Sequence, residues 1–207
     1  PFNAEMIKAL PNLKLIVTSG KQNAAIDVAA ASARGIIVCG TPSPGHATAE
    51  LAFLLVMALC RKLISLVNGL ERGNQWQPVM GGDLRGKTLG ILGLGRLGSQ
   101  VAALGKAIRM DVIAWSTNLK PEVCDAQGVQ YVTKAELFER SDFVSIHLRL
   151  SDRSKHLIGA PELQALGPRG YLVNTSRAEI IEPNALLAAL NDGVIAGLAT
   201  DVLDTEP

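Results

Sequence analysis

Short, fully apolar runs alternate with helical patterns along almost the whole of this 207-residue chain. Such an alternation indicates a parallel sheet with helices packed on both of its faces. Strands that are buried on two faces carry few polar residues, which agrees with the apolar character of these runs. The predicted strands cover residues 13–19, 35–40, 87–93, 111–116, 129–132, 143–148, 171–176 and 194–202. We therefore expect an α/β fold with a doubly wound parallel sheet.

The alternation is interrupted between residues 41 and 86. The segment TPSPGHATAE begins a long helix predicted over about residues 45–68, and a loop with several glycines follows. Proline and glycine cluster at both ends of the interruption, which is typical of a domain boundary. Residues 1–43 contain only two predicted strands and one helix, so we predict that they are the remnant of a second domain. Residues 44–207 then form the sheet domain.

Composition limits the classes of protein to which the chain can belong. With 48% hydrophobic and 19% charged residues, the chain can bury a substantial core. The longest apolar run, residues 51–60, is far shorter than the roughly 20 residues of a membrane-spanning helix, so we expect no membrane association. A formal net charge of +1 and 4% aromatic residues disfavour nucleic-acid binding. Small molecules are the expected partners.

The cysteines indicate the cellular compartment. Cys39, Cys60 and Cys124 have neither the even number nor the close spacing of a disulfide framework or a zinc site. No signal-peptide pattern opens the chain. These features favour the reducing cytoplasm and predict no metal site.

A glycine motif follows one of the predicted strands. The segment GILGLGRLGSQVAALG has the GxGxxG spacing at a strand-to-helix turn. In this motif the glycines permit a tight turn, a close approach of the backbone to a pyrophosphate, and close packing of the helix on the strand. The helix amino terminus also favours negative charge. We therefore predict a Rossmann-like dinucleotide site whose contacts include Gly93, Leu94, Gly95, Arg96, Leu97 and Gly98.

Polar residues follow the ends of several other predicted strands. Ligands of a doubly wound sheet bind beyond the carboxyl ends of the strands, so these residues are expected to line one crevice. The remaining predicted cofactor contacts are Ser116, Thr117, Asn118, His147, Leu148, Thr175, Ser176 and Asp201.

The segment WSTNLK bears on the choice between NAD and NADP. A site that prefers NAD places an acidic residue on the ribose hydroxyls, whereas position 116 is a serine. Hydroxyls, an amide and Lys120 could accept a 2′-phosphate that a carboxylate would repel. The same short polar residues could instead bond the ribose of NAD. Both cofactors stay open, and the segment slightly favours NADP.

Several longer segments together are similar to a known family. They are TAELAFLLVMALCRKL, GKTLGILGLGRLG, SDFVSIHLRLSDRSKHLIG, YLVNTSRAEIIE and IAGLATDVLDTEP. In this order they resemble the D-isomer-specific 2-hydroxyacid dehydrogenases, whose relatives include glyoxylate/hydroxypyruvate reductases and phosphoglycerate dehydrogenases. The resemblance implies an oxidoreductase that transfers a hydride between NAD(P) and C2 of a small D-2-hydroxy acid or 2-oxo acid. It also implies that residues 1–43 belong to a flavodoxin-like substrate domain, and that the protein is a homodimer with helix 45–68 at its interface.

The resemblance assigns roles to individual residues. Arg177 matches the family's substrate arginine, whose guanidinium can hold a carboxylate and polarise the carbonyl. Glu206 matches the acid that orients a catalytic histidine. Ser19 and Gly20 lie in VTSGKQNAAID, which is similar to the family's substrate loop; Gln22 replaces a glycine there, which leaves the substrate open.

Each of these roles has a structural alternative. Ser176 and Glu179 have the spacing of a capping box, so Arg177 could be a solvated side chain at a helix start. Glu206 could lie in an ordinary surface turn, and residues 19–23 in a solvated turn before a helix.

The catalytic histidine of the family has no counterpart in this chain. It should follow Glu206, whereas the histidines present are His46, His147 and His156. We therefore expect the chain to be a fragment of a longer protein, with a further segment before Pro1. The alternative function is a cofactor-sensing binding protein, because the same family includes a transcriptional corepressor. Formate oxidation is a third possibility within the family.

Overall fold

The structure is a computed structural model, and its residues fall into two compact units. The units are Pro1–Gly45 and His46–Pro207. The division follows Gly45, whereas the predicted boundary follows residue 43. The residues that the structure describes are 1–20, 23, 25–42, 45–73 and 76–205.

The first unit contains a parallel pair of strands and two short helices. In chain order they are α1 (Ala4–Ala9), β1 (Leu15–Ser19), α2 (Val28–Ala33) and β2 (Ile37–Thr41). Each helix begins at a side chain that accepts a backbone hydrogen bond, Asn3 from the amide of Met6 and Asp27 from the amide of Ala30. Such caps satisfy amides that have no partner inside the helix. The core of this unit consists of Ile7, Ile16, Ile26, Ala31 and Ile36.

The helix predicted over about residues 45–68 is two helices in the structure. They are α3 (His46–Cys60) and α4 (Leu63–Glu71). Lys62 separates them with a φ of 54°, a left-handed conformation that a right-handed helix does not continue. The ammonium of Lys62 lies 4.9 Å from the centre of the Tyr171 ring and donates to its hydroxyl, which stabilises the break. The prediction of one continuous helix is therefore wrong.

Strands of the second unit form a six-stranded parallel sheet within the described residues. They are β3 (Thr88–Leu92), β4 (Asp111–Trp115), β5 (Gln130–Tyr131), β6 (Phe143–Ile146), β7 (Tyr171–Asn174) and β8 (Gly197–Thr200). Their order across the sheet is β5-β4-β3-β6-β7-β8. From β3 the chain moves outward to β5 and then returns to the other side of β3, which is the strand order of a doubly wound Rossmann fold. The predicted fold class is confirmed.

Helices cover both faces of this sheet. They are α3, α5 (Arg96–Ala107), α6 (Pro121–Asp125), α7 (Lys134–Arg140), α8 (Ala160–Leu166) and α9 (Pro183–Asn191), with a short 3-10 helix at Ala178–Ile180. Helix α4 contacts α3 and has no buried residue. On one face, Val56 of α3 and Val101 of α5 share an apolar cluster with Leu89. On the other, Phe138 of α7 shares a second cluster with Val144. Successive strand residues point to opposite faces, so two cores form on one sheet.

Among the helices of the described residues, none is both long enough and apolar enough to cross a membrane. No group of three or more His, Cys, Asp or Glu side chains in the same ranges is placed to hold a metal ion.

Candidate functional site

The register of the sheet places the ends of five strands in one row. Across β4, β3, β6, β7 and β8 the last paired residues are Trp115, Leu92, Ile146, Asn174 and Thr200. The residue that follows each of them therefore lies at the carboxyl edge of the sheet. These residues, which we call the edge row, are Ser116, Gly93, His147, Thr175 and Asp201. All five are predicted site residues, and the sheet brings them to one edge from distant parts of the chain.

Two glycines of the motif are required by close packing. Gly93 has a φ of 107°, and its amide donates to the carbonyl oxygen of Trp115 at 2.9 Å. Residues other than glycine rarely adopt this backbone conformation. A β-carbon on Gly98 would overlap the carbonyl oxygen of Gly93 and lie 2.9 Å from Cγ2 of Ile91. The start of α5 can therefore lie directly on β3 only because position 98 has no side chain.

Gly95 has a different environment. It is the N-cap of α5, and no atom lies within 4 Å of the position that its β-carbon would take. The first backbone amides of a helix have no partner inside the helix and carry partial positive charge. Open space beside such amides fits a pyrophosphate, as the second glycine of the motif requires.

The other predicted residues of the turn differ in exposure. Leu94 is buried in the core, Leu97 is partly buried, and Arg96 is exposed. After β4, Ser116 is partly buried, and its carbonyl oxygen accepts a hydrogen bond from the amide of Leu119 at 3.0 Å. Thr117, Asn118 and Lys120 are exposed in this turn. Their polar groups are accessible to a ligand beside the end of β4.

The turn after β7 is organised by Asn174. Its Oδ1 accepts a hydrogen bond from the amide of Ser176 at 3.0 Å, and its Nδ2 donates to the carbonyl oxygen of Arg177 at 2.9 Å. The hydroxyl of Ser176 donates to the carbonyl oxygen of Ile146 at 2.8 Å, which attaches the turn to β6. Arg177 is exposed, and its Nη1 donates to the carbonyl oxygen of Ser176 at 2.6 Å. The turn thus presents a guanidinium to solvent on a fixed backbone.

The capping box considered for this turn is absent. The hydroxyl of Ser176 donates to Ile146, and the 3-10 helix Ala178–Ile180 has Arg177 as its N-cap residue with no side-chain cap. Glu179 lies inside that helix. The capping-box alternative for this part of the chain is therefore wrong, because the hydroxyl that it needs is used to join two strands.

Asp201 follows β8 and is exposed. Its amide donates to the carbonyl oxygen of Asn174 at 3.4 Å, and the hydroxyl of Thr200 donates to the same oxygen at 3.0 Å. The amide of Val202 in turn donates to the hydroxyl of Thr200 at 3.2 Å. These bonds tie the turn that carries Asp201 to the end of β7.

His147 and Thr175 contribute buried polar atoms to the edge row. Nε2 of His147 lies 2.9 Å from the hydroxyl of Ser145, while its Nδ1 is buried and has no hydrogen-bond partner among the described residues. Burial disfavours the imidazolium and lowers the pKa of His147 to about 4. The hydroxyl oxygen of Thr175 is also buried without a partner in these ranges. Leu148, next to His147, is partly buried. Because the pKa of His147 is lowered to about 4, its ring is neutral at neutral pH.

The remaining predicted residues lie in the first unit or outside the described residues. Ser19 is exposed at the end of β1, and Gly20 has a φ of 88° and is bridged to Thr41 of β2. Asn23 Nδ2 donates to the hydroxyl of Thr18 at 3.2 Å. The predicted residues Gln22 and Glu206 lie outside the described residues.

Three side chains make hydrogen bonds at the site that were not predicted from the sequence, although Asn174 was expected at this strand end. They are the side chains of Asn174, Ser145 and Thr200. For Asn174 a signal exists, because asparagine two residues before a serine amide is typical of an Asx-turn. Ser145 and Thr200 carry no such signal, since their bonds depend on how the strands and turns pack.

Comparison with known proteins identifies relatives of the chain. The sequence profile described as "D-isomer specific 2-hydroxyacid dehydrogenase, NAD binding domain" matches residues 53–207. A glyoxylate reductase of Thermococcus litoralis is 38% identical over 212 residues, which cover 98% of this chain and 64% of that protein. The chain therefore spans less than two thirds of the length of this relative.

Solved structures of similar proteins have the same fold. The structure of a phosphoglycerate oxidoreductase from Vibrio cholerae O395 matches with a TM-score of 0.90 and 35% identity, covering 100% of this chain and 67% of that one. A D-lactate dehydrogenase from Aquifex aeolicus, complexed with NAD and lactic acid, matches with a TM-score of 0.78 and 28% identity over 98% and 62% of the two chains. The profile match covers most of the chain, and the glycine turn and strand order agree with it. The chain belongs to the D-isomer-specific 2-hydroxyacid dehydrogenase family.

Proposed function

We propose that the protein is an NAD(P)-dependent dehydrogenase that interconverts small D-2-hydroxy acids and 2-oxo acids. The observation that carries this proposal is the edge row, which has an open glycine turn at β3 and an exposed Arg177 two positions beyond its β7 residue. A dinucleotide site and a carboxylate-binding cation at one sheet edge suit this chemistry. Relatives named glyoxylate reductase and D-lactate dehydrogenase support the substrate class.

The glycine turn would hold the cofactor. Its open face at Gly95 and the first amides of α5 would bind the pyrophosphate, and Asp201 at the end of β8 would orient the nicotinamide carboxamide. When bound, the nicotinamide exchanges a hydride with C2 of the substrate. The chain itself supplies orientation and charge.

Arg177 would bind and polarise the substrate. A guanidinium presents five N–H donors in a planar fork, so it can bond a carboxylate and a neighbouring carbonyl oxygen together. Negative charge develops on that oxygen when hydride reaches C2, and a fixed cation stabilises it. The exposed position of Arg177, on a turn fixed by Asn174, supports this role.

His147 is unsuited to donate a proton to the substrate. Its ring is neutral at neutral pH, and its Nε2 is engaged with Ser145. A general acid needs a pKa near the operating pH. We retain the proposal that Glu206 orients a different histidine.

The turn after β4 supports a slight preference for NADP. Ser116 occupies the edge-row position where an NAD-specific site carries an acid, and Lys120 is exposed four residues later. A cation and hydroxyls attract a 2′-phosphate.

Exposed apolar side chains on α3 and α4 support a homodimer. Leu54 is 55% exposed and Ile64 is 67% exposed, and Trp76 and Met80 nearby in sequence are 81% and 89% exposed. Large exposed apolar patches mark interaction surfaces. We propose that these helices lie in an interface between two copies.

The cysteines are unpaired, which supports a reducing compartment such as the cytoplasm.

Turnover by the full-length protein tests the proposed function. NADH and NADPH oxidation would be followed with glyoxylate and hydroxypyruvate, and NAD reduction with formate. We expect the 2-oxo acids to be reduced, and Arg177→Met to lower kcat/KM by about 10²- to 10³-fold. Arg169→Met, at an exposed arginine before β7 on the opposite edge of the sheet, is the control and should leave kcat/KM unchanged.

Other outcomes would point elsewhere. Tight cofactor binding without turnover of any 2-oxo acid would favour the cofactor-sensing protein. Formate oxidation without 2-oxo acid reduction would indicate that the protein is a formate dehydrogenase. Full activity of Arg177→Met would show that Arg177 does not bind or polarise the substrate.

A further inference from the structure

We propose that Asn174 is a positioning residue that sets the substrate arginine and Asp201 at a fixed separation. It does not touch the substrate in this proposal and acts through the two turns that it joins. The inference rests on the proposed function, because it assumes that Arg177 binds the 2-oxo acid and Asp201 the cofactor. Its observable basis is a set of hydrogen bonds from one buried residue to two exposed ones.

The side chain of Asn174 holds the turn that carries Arg177. The residue is 1% exposed, and each end of its amide has a partner. Oδ1 accepts from the amide of Ser176 at 3.0 Å, and Nδ2 donates to the carbonyl oxygen of Arg177 at 2.9 Å. The reverse orientation of the amide would bring two donors and two acceptors together, so the partners define the orientation.

The main chain of Asn174 holds the turn that carries Asp201. Its carbonyl oxygen accepts from the hydroxyl of Thr200 at 3.0 Å and from the amide of Asp201 at 3.4 Å. Asn174 and Thr200 are also paired residues of β7 and β8. One residue is therefore bonded directly to both turns.

Beside Asn174, two further hydrogen bonds hold the backbone at Arg177. The amide of Ile180 donates to the carbonyl oxygen of Arg177 at 3.3 Å, and the hydroxyl of Ser176 donates to the carbonyl oxygen of Ile146. The 3-10 helix that follows it is three residues long and begins without a side-chain cap. Such short helices have poor hydrogen-bond geometry and limited stability of their own. The guanidinium is attached to this backbone by a long side chain, and a displacement of about 1 Å in a reacting group can cost about 100-fold in rate. A small displacement of this backbone, caused by loss of the Asn174 amide bond, would therefore affect substrate binding.

Asn174→Asp separates positioning from general stability. The carboxyl group has the shape of the amide and keeps the acceptor for Ser176, but an ionised carboxylate cannot donate to the carbonyl oxygen of Arg177. Burial raises the pKa of a carboxyl group, and the protonated form regains one donor. The variant should therefore be close to normal at low pH and impaired at high pH. Thr200→Val removes the hydroxyl, with its bond to the Asn174 carbonyl oxygen and its bonds to the backbone of Val202, and leaves the side-chain bonds of Asn174 in place.

The experiment uses the full-length protein and three readouts. Oxamate, an unreactive analogue of a 2-oxo acid, is titrated into the enzyme saturated with NADPH or NADH; cofactor affinity and melting temperature are measured separately. At about pH 9 we expect Asn174→Asp to weaken oxamate binding and kcat/KM by about 10- to 100-fold with cofactor affinity unchanged, and at about pH 5 to recover most of the loss. We expect Thr200→Val to weaken cofactor binding by several-fold at both pH values. Asn191→Asp, at the exposed end of α9, is the matched control and should change neither.

Two results would overturn the inference. One is that Asn174→Asp loses oxamate affinity, cofactor affinity and melting temperature together at every pH, since that pattern describes a purely structural residue. The other is that oxamate affinity at high pH is unchanged. If the wild-type protein reduces no 2-oxo acid, the proposed function fails, and crystal structures of Asn174→Asp at both pH values still decide: a displaced Arg177 backbone at high pH supports positioning, and an unmoved one overturns it.

Discussion

Gly98 lies against the carbonyl oxygen of Gly93 so closely that a β-carbon at position 98 would overlap that oxygen. Gly95, between them, has open space where its β-carbon would lie. The glycines of one motif therefore have different roles. Gly98 is needed for the packing of α5 on β3, and Gly95 leaves room for a ligand.

Alanine substitutions at these two positions should separate folding from cofactor binding. Gly98→Ala should lower the free energy of unfolding by about 1–3 kcal/mol, because the packing has no space for a methyl group. Gly95→Ala should unfold at nearly the wild-type denaturant concentration but bind NADH and NADPH at least about tenfold more weakly, since its methyl group would occupy the approach of the pyrophosphate. Urea denaturation and cofactor titration measure the two effects.

The opposite pattern would contradict this division of roles. Gly105→Ala serves as a further control, because its β-carbon would lie 2.8 Å from Cδ2 of Leu89, away from the turn. It should affect stability and leave the affinity for cofactor unchanged.

The partly buried His147 should make stability depend on pH. Its pKa is lowered to about 4 in the folded protein from an ordinary value of 6.5, because burial disfavours the imidazolium. The unfolded state therefore binds the proton more readily, so folding is fully favoured above about pH 6.5 and loses stability as the pH falls toward about 4. The loss attributable to this residue is at most about 3 kcal/mol.

Replacement of the ring tests this dependence. His147→Gln should flatten the curve of unfolding free energy against pH between about 6.5 and about 4, when compared with the wild-type protein in the same buffers. Carboxyl groups that titrate in the same range act in both proteins and cancel in the difference. Parallel curves for the two proteins would show that His147 is accessible to protons in the folded state.

Asp142 should contribute more to stability than its ion-pair partner does. One of its oxygens accepts from Lys87 Nζ at 3.0 Å, and the other accepts from the amide of Thr88 at 2.9 Å, which joins the starts of β6 and β3. Asp142→Ala should cost about 1–2 kcal/mol because it leaves a partly buried amide unsatisfied. Lys87→Met removes only a half-exposed ion pair and should cost less than about 1 kcal/mol. Equal losses in urea denaturation would assign the effect to the ion pair.

Ser116→Asp should change the preference between cofactors. A carboxylate at this edge-row position would accept hydrogen bonds from ribose hydroxyls and repel a 2′-phosphate. The ratio of the Kd for NADPH to that for NADH should rise by about tenfold or more, equivalent to about 1.4 kcal/mol. Lys120→Met should weaken NADPH binding alone. If the wild-type protein prefers NADH and Lys120→Met does not change that preference, the proposed preference for NADP is wrong.

The sheet could be predicted from the sequence because burial on two faces leaves a clear apolar pattern. The run at residues 87–93 contains β3 (Thr88–Leu92), and that at 111–116 contains β4 (Asp111–Trp115). The run at residues 194–202 was predicted too long, since only Gly197–Thr200 forms β8. Apolar character continues beyond the paired residues there, and pattern alone does not report where backbone pairing stops.

The break after α3 had no signal in the apolar pattern. Apolar residues recur on both sides of Lys62, so the periodicity of a single helix is kept through a residue in the left-handed region. Asn174 illustrates the same limit for the site. Its type and spacing predict a local turn, whereas its bonds to β8 depend on which strand lies beside β7.

The edge row also bears on how the sequence can change over time. Its members are aligned by backbone pairing, so replacing one side chain leaves the other four in place. Deleting one residue within β6 or β7 would instead turn every later side chain of that strand to the opposite face. We therefore expect insertions and deletions among relatives to accumulate in the surface connections and to spare the strands.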